Sequence, residues 1–349
     1  MHATYWKRGT MRLSIIIPVY NGAAMLRRCI AALSQSEFRD FECIIADDAS
    51  TDDTATVARG CPATVVTLER RGGPARARNH GAARARGEIL VFLDADVCVH
   101  PDTLDRVDKH LQRDNHSAAV FGSYDDTPAD PHFVSQYKNL LHHYVHHRSS
   151  CDAWTFWAGC GAIRREVFLQ MGGFDESYTR PCVEDIELGL RLRAHGQRID
   201  LDPAIQVTHL KRWTLSSLIR ADLFDRAIPW LLLMMRYRVV RHDLNVTLRD
   251  RASVVLAWIM ALTGAAMLIM RAVPLPLIAA LAVCMAGLCV LNVDLYRFFA
   301  RKRGVWFAVR VLPLHWLYFF YCGLAIPMAL SVRTWRVATS HEPAVAQDA

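Results

Sequence analysis

The chain has 349 residues, 52% of them apolar, and carries a formal net charge of +7 from 41 Lys and Arg against 34 Asp and Glu. The apolar share excludes a disordered chain, and the length excludes a lone small module. The charge is uneven: residues 1–210 hold 24 Lys and Arg against 27 acids, and residues 211–349 hold 17 against 7, so the basic second part points to a membrane surface or nucleic acid.

The first ten residues show no pattern, and Met11 is a second candidate start. Leu13–Val19 is a β-rich apolar run read as a buried strand; at seven residues it is too short for an export signal. Asn21-Gly22 makes a turn, and apolar residues at helical spacing predict a helix over 23–34. Phe41–Ala46 reads as a second strand, 53–59 as a helix, Thr64–Leu68 as a third strand. Gly72-Gly73-Pro74 breaks the chain before a helix over 75–86, and Ile89–Leu93 is a fourth strand. This alternation implies an α/β domain with a mostly parallel sheet covered on both faces.

In such sheets ligands bind at the carboxyl ends of the strands. The acids at 47, 48, 52 and 53 and the Asp94-Ala95-Asp96 triplet all lie there. Two carboxylates at i and i+2 on a turning backbone can converge on Mg2+ or Mn2+, which prefer oxygen ligands and keep places for substrate phosphates. Asp48 reads either as a ligand-binding group or as a helix-capping turn residue.

Further along, Glu184-Asp185 opens a helix over 186–194, and Ile205–Thr208 is a strand leading into His209-Leu-Lys-Arg-Trp213. His142, His143, His146 and His147 lie at helical i, i+4 spacing. No acid is near in sequence, so an acceptor contact or a plain polar face is favoured over zinc. The ten cysteines include no CxxC pair and read as reduced, mostly buried thiols. Cys151 and Cys160 bracket a Trp-rich segment, but a chain able to build its own core needs no such staple.

Three runs lack Asp, Glu, Lys and Arg: Ala252–Met270, Ala272–Val293 and Val311–Val332. Each is long enough to cross a hydrocarbon layer of about 30 Å as a helix. Pro274-Leu275-Pro276 reads as the turn of a helical hairpin. Pro313, His315 and Pro327 leave the third run open to a kink or partial insertion, so two to three spans are expected. Nine Lys and Arg lie in 211–251, and Arg297, Arg301, Lys302, Arg303 and Arg310 follow the second run. By the bias of cationic loops toward the cytoplasm, both segments and the front domain face inward. The expected layout is a domain over 1–215, interfacial amphipathic helices over 216–251, a membrane region over 252–335 and a tail over 336–349. The basic residues flank apolar spans rather than forming a polar face with interleaved aromatics, so nucleic acid is not the expected partner.

Ser14-Ile-Ile-Ile-Pro-Val-Tyr-Asn21, Asp47-Asp-Ala-Ser-Thr-Asp52, Ala77-Arg-Asn79 and Leu93-Asp-Ala-Asp96 resemble the nucleotide-sugar half of family 2 glycosyltransferases. Gly172-Gly-Phe-Asp-Glu176 and Glu184-Asp185 resemble the acceptor half, so the likeness covers about residues 12–215. It implies a GT-A, Rossmann-like fold of the membrane-anchored bacterial type.

The resemblance also implies roles. Pro18, Tyr20 and Asp48 would surround the nucleotide base, with a lean to uracil. Asp94 and Asp96 would hold Mn2+ or Mg2+ with the diphosphate, and Arg78 would face that diphosphate. Asp185 would be the catalytic base, taking the proton of an attacking sugar hydroxyl in a single, inverting displacement; the alternative is that it caps its helix. Glu184 and Trp157, in the Trp154–Gly161 loop, would contact substrate. His209-Leu-Lys-Arg-Trp213 is similar to the Q/R-x-x-R-W motif of membrane-bound members, with His in the first place. His209 would then be a third metal ligand, Lys211 and Arg212 would hold a phosphate, and Trp213 would stack on an acceptor ring or sit at the lipid interface. The implied reaction moves a sugar from a nucleotide-sugar to a lipid or lipid-linked acceptor at the cytoplasmic face of the inner membrane, with membrane lipids as further partners. A processive polysaccharide synthase and a non-catalytic nucleotide-sugar-binding scaffold are the competing readings.

Overall fold

Leu13–Val19 forms strand β1, and its side chains divide between two cores. Leu13, Ile15 and Ile17 enter one apolar cluster and Ile16 enters the other, as the two-residue period of a strand requires. This computed structural model describes residues 11–237, 247–271 and 273–339. The first ten residues, Arg238 and Arg241 of the expected interfacial segment, and the last ten residues of the tail lie outside the described residues. Contacts divide the chain into two compact units, Met1–Thr214 and Leu215–Ala349.

In the first unit, β1 is followed by α1 (Ala23–Ser34), β2 (Phe41–Asp47), α2 (Thr54–Arg59), β3 (Thr64–Thr67), α3 (Pro74–Ala82), β4 (Ile89–Leu93) and β5 (Val97–Val99). Then come α4 (Thr103–Arg113), β6 (Ser117–Tyr124), α5 (Phe133–His146), β7 (Asp152–Ala153), β8 (Cys160–Arg164), α6 (Arg165–Gln170), α7 (Glu184–Ala194) and β9 (Arg198–His209). The sheet order is β3-β2-β1-β4-β8-β6-β9-β5, with β7 beside β9. Strands β3, β2, β1 and β4 run parallel. Beyond β4 the sheet is mixed: β6 and β9 pair parallel to each other and run with β4. Strand β8 is antiparallel to both β4 and β6, and β5 and β7 are antiparallel to β9.

Both faces of the sheet are covered. Leu26, Cys29 and Leu33 of α1 and Leu104, Val107 and Leu111 of α4 join one core. Ala75 and Ala82 of α3, Phe168 of α6 and Leu188 and Leu192 of α7 join the other, around Phe92. The ten cysteines are free thiols, four of them buried.

The second unit opens with α8 (Leu215–Arg220), a π-helix over Ala221–Ala227 and α9 (Ile228–Tyr237). Tyr321 Oη donates to the buried Asp222 carboxylate of the π-helix at 2.8 Å. Helix α10 (Leu248–Met270) starts in a capping box between Thr247 and Asp250 and ends at Arg271 in a left-handed conformation. Pro274 then leads into α11 (Leu275–Leu291), the expected hairpin. Asn292 Nδ2 donates to Ser253 Oγ and to the Leu288 carbonyl, closing the hairpin. There the chain bends by 67° into α12 (Val293–Arg303). The long α13 (Val305–Thr339) stays helical through Pro313 and Pro327. Residues 248–270 and 305–334 are two helices long and apolar enough to cross a membrane, and the bent α11–α12 pair makes a third only if it counts as one span.

Candidate active site

Antiparallel pairing sets the first contact. Val97 of β5 lies opposite His209 of β9, so the preceding Asp96 falls beside the His209 ring. His209 Nε2 is 3.4 Å from Asp96 Oδ2, and the Leu210 amide donates to the Asp96 carbonyl at 2.8 Å. The His209 ring stacks on Tyr124, with centroids 4.3 Å apart.

Helix α3 supplies the second contact. Pro74 starts it, and one turn later Arg78 is buried, reaching across the end of β4. Its Nη2 donates to Asp94 Oδ1 at 2.7 Å and its Nη1 to Glu184 Oε1 at 2.8 Å. The other Glu184 oxygen accepts from the Cys182 amide at 2.9 Å. The next residue, Asn79, grips the backbone of Phe174: its Nδ2 donates to the Phe174 carbonyl and its Oδ1 accepts from the Phe174 amide, both at 2.9 Å. Residues from the two halves of the domain therefore meet on one helix face.

Asp185 sits in the first turn of α7, which is preceded by Val183. Asp185 Oδ2 accepts from the Ala158 amide at 3.1 Å, and Oδ1 from the Ile186 amide at 2.9 Å. Burial, and next the Glu184 carboxylate, push Asp185 up to about 7 against the pull of Arg78. Burial also raises Asp94 despite Arg78. Asp96 is lowered: burial works against this, and the His209 side chain outweighs it.

The residues expected around a nucleotide base form a second group. Pro18 and Val19 end β1 opposite Ala46 and Asp47. Asp48 is buried, and its oxygens accept from the amides of Gly72 at 2.7 Å and Gly73 at 2.8 Å. Arg71 lies over the exposed Tyr20 ring, 4.0 Å from its centroid. Gly73 has φ +87°, and a Cβ there would lie 2.5 Å from the Thr179 carbonyl.

Several expected roles meet a different geometry. Arg78 holds two carboxylates from within the protein instead of facing open space, and Glu184 has both oxygens in use and is buried. Trp213 is buried, with Lys211 Nζ over its ring at 4.2 Å, and its amide donates to Ser135 Oγ. Arg212 is exposed, its Nη2 3.2 Å from His132 Nε2. Trp157 packs edge-on against Tyr124 at 4.9 Å. On α5, His143 and His146 pair through Nδ1 with the carbonyls of Tyr124 and Gly122. Asn139 had no sequence signal beyond lying one turn after Ser135; its Oδ1 is 2.5 Å from His209 Nδ1.

Among the described residues, no three His, Cys, Asp or Glu side chains converge on one point. A divalent cation nevertheless fits Asp96 with His209. His209 Nε2 and Asp96 Oδ2, 3.4 Å apart, are close enough for both to reach one cation. A Mg2+-type site at a diphosphate commonly uses only one or two protein ligands and leaves the rest to phosphate and water. Asp94 contributes less readily, because Arg78 already occupies its Oδ1.

Residues 14–172 match the family model described as glycosyl transferase family 2. The validoxylamine A glucosyltransferase of Streptomyces hygroscopicus subsp. jinggangensis is 32% identical over 218 residues, which are 53% of this chain and 52% of that protein. A Campylobacter jejuni protein named GalNAc(5)-diNAcBac-PP-undecaprenol beta-1,3-glucosyltransferase is 32% identical over 91 residues, 24% of this chain and 29% of that one. The chain thus spans about half the length of the first relative and under a third of the second. Among solved structures, the mannosyltransferase PcManGT from Pyrobaculum calidifontis in complex with GDP-Man and Mn2+ aligns with a TM-score of 0.53 at 20% identity. It covers 96% of this chain and 89% of that one. At that identity the likeness is one of fold.

Proposed function

We propose that this chain, whose residues 14–172 match the glycosyl transferase family 2 model, is a member of that family and moves a sugar from a nucleoside diphosphate sugar to a lipid-borne acceptor at the cytoplasmic membrane face. The observation that carries the reading is Arg78. It ties Asp94, at the end of β4, to Glu184, so Asp185 lies beside the carboxylates expected to meet the diphosphate.

The chemistry follows from the charges. An acceptor hydroxyl is too weak an acid to attack as it stands, so Asp185 takes its proton as the oxygen bonds to the anomeric carbon. The bond from that carbon to the diphosphate breaks in the same step and its electron pair leaves with the nucleotide. One displacement inverts the anomeric centre. A carboxylate with a pKa near 7 is well matched to accepting a proton at neutral pH. A Mg2+ or Mn2+ ion held by Asp96 and His209 would neutralise charge on the departing diphosphate. Asp48, Tyr20 and Pro18 would receive the base; UDP-sugars are the first donors to test.

The lipid-borne acceptor is supported by the apolar helices α10 and α13 and by the lipid-linked acceptor in the name of the Campylobacter relative. Helix α12 places Arg297, Arg301 and Lys302 in solvent and Leu295, Phe298 and Phe299 inside, 67° off the axis of α11. Carrying these three cations across a bilayer would cost about 2.5–3.5 kcal/mol each at the centre, so α12 lies in the headgroup plane.

The test is the full-length chain in nanodiscs with a panel of nucleoside diphosphate sugars, bacterial lipid extract and Mn2+, read by mass spectrometry. One donor should add a single sugar mass to a lipid. Failure to transfer or hydrolyse any donor would refute the enzyme reading, and a sugar added only to soluble material would refute the acceptor.

A further inference from the structure

The orientation of His209 is set from a helix that none of the site motifs includes. Asn139 lies on α5, almost wholly buried at 1% exposure. Its amide is fixed by its two partners: Nδ2 donates to the Ser135 carbonyl at 3.0 Å, so Oδ1 is the atom that meets His209 Nδ1 at 2.5 Å. An amide oxygen can only accept. His209 Nδ1 must therefore carry the hydrogen, and the lone pair of a neutral ring falls on Nε2, the atom 3.4 Å from Asp96 Oδ2. The stack on Tyr124 fixes the ring plane, and Ser135 Oγ fixes the chain four residues on by accepting from the Trp213 amide at 2.8 Å. One face of α5 thus holds both ends of the His209–Trp213 segment.

We infer that Asn139 is a positioning residue, which selects the His209 tautomer and turns its Nε2 lone pair toward Asp96 to receive a divalent cation. A histidine that binds metal through one nitrogen is oriented by what accepts from the other, and loss of such a partner typically weakens metal binding about 10–100-fold. The inference rests on the metal-assisted reading proposed above.

The test is Mn2+ binding to the full-length protein with UDP present, read by the electron paramagnetic resonance signal of free Mn2+. Asn139→Leu keeps the volume and removes the acceptor. It should weaken Mn2+ binding about 10–100-fold while metal-free UDP binding stays near that of the unsubstituted protein. Asn139→Ala leaves room for a water to accept the same hydrogen, so it should lose less, and it serves if the Leu variant misfolds. Unaltered Mn2+ affinity in either folded variant overturns the role of Asn139 and leaves the metal reading standing. No Mn2+ binding by the unsubstituted protein overturns both.

Discussion

Arg78 and Glu184, 106 positions apart, meet at 2.8 Å with both side chains buried. The pair joins the helix before β4 to the helix that carries Asp185, and Arg78 also takes Asp94. Removing the guanidinium strands two carboxylates. Arg78→Met should cost about 3 kcal/mol, in the range for breaking a buried pair from one side. Urea unfolding of the 1–214 unit within the full chain, followed by a site-specific fluorophore, would measure it; unchanged stability would remove Arg78 as the tie.

Asp185 sets the expected pH profile. Its pKa is raised to about 7, and the deprotonated form is the base, so kcat/KM should be low at acid pH and level off above that value. Glu184→Gln removes the like charge next door, and the acid limb should move to lower pH. Asp185→Asn should cut transfer about 10²–10⁴-fold while nucleotide binding persists. A flat profile across pH 6–8 would argue against Asp185 as the base.

Asn79 makes its two bonds to one backbone residue, Phe174, with a third at 3.0 Å to Glu176. Asn79→Ala should loosen the 173–183 segment and cost about 1–2 kcal/mol, since buried backbone groups lose partners. Hydrogen exchange should rise there and not in β1 or β2.

His110 bridges Asp202 and Asp200, at 3.0 Å to each. The Asp202 hydrogen bond chiefly raises the His110 pKa above 6.5, and His110 in turn lowers Asp202 below 3.8. The histidine's contribution is complete below its unfolded pKa and fades as pH rises through the raised value. The aspartate's is complete above its unfolded pKa and fades as pH falls through the lowered one. His110→Gln should therefore destabilise most near pH 5, by about 1 kcal/mol, and least above pH 8. An equal loss at both pH values would refute the charge pairing.

The proposed membrane arrangement is tested by labelling from either side. Val273→Cys, in the turn before α11, should react with an impermeant maleimide on intact cells. Lys302→Cys, at the end of α12, should react only after permeabilisation. Reversed labelling would invert the topology.

The parallel half of the sheet was legible because its strands are short apolar runs closed by Gly, Pro or Asp, and the acids at their ends mark one edge. The mixed half, where β8, β5 and β7 run against β6 and β9, was not. Strand β9 carries Asp200, Asp202 and Pro203, which break its apolar pattern, so only Ile205–Thr208 stood out before His209. Roles that depend on a partner far along the chain were equally hidden. Glu184 was expected at substrate, and only the folded chain shows Arg78 and the Cys182 amide taking its oxygens. Asn139 looks like any helix-surface amide until β9 brings His209 to it. A sequence motif shows which groups are present, whereas the direction each one faces is decided by elements packed against it from elsewhere.

Gly73 lies so near Thr179 that not even a methyl group fits between them, and Asp48 grips the amides of the Gly72–Gly73 turn. An occupant that draws on Asp48 therefore draws on the loop running into Glu184 and Asp185. If a nucleotide engages Asp48, it should shift that loop and with it the surface offered to an acceptor. Steady-state kinetics should show a compulsory order with the donor first, and the nucleoside diphosphate product should compete with the donor alone.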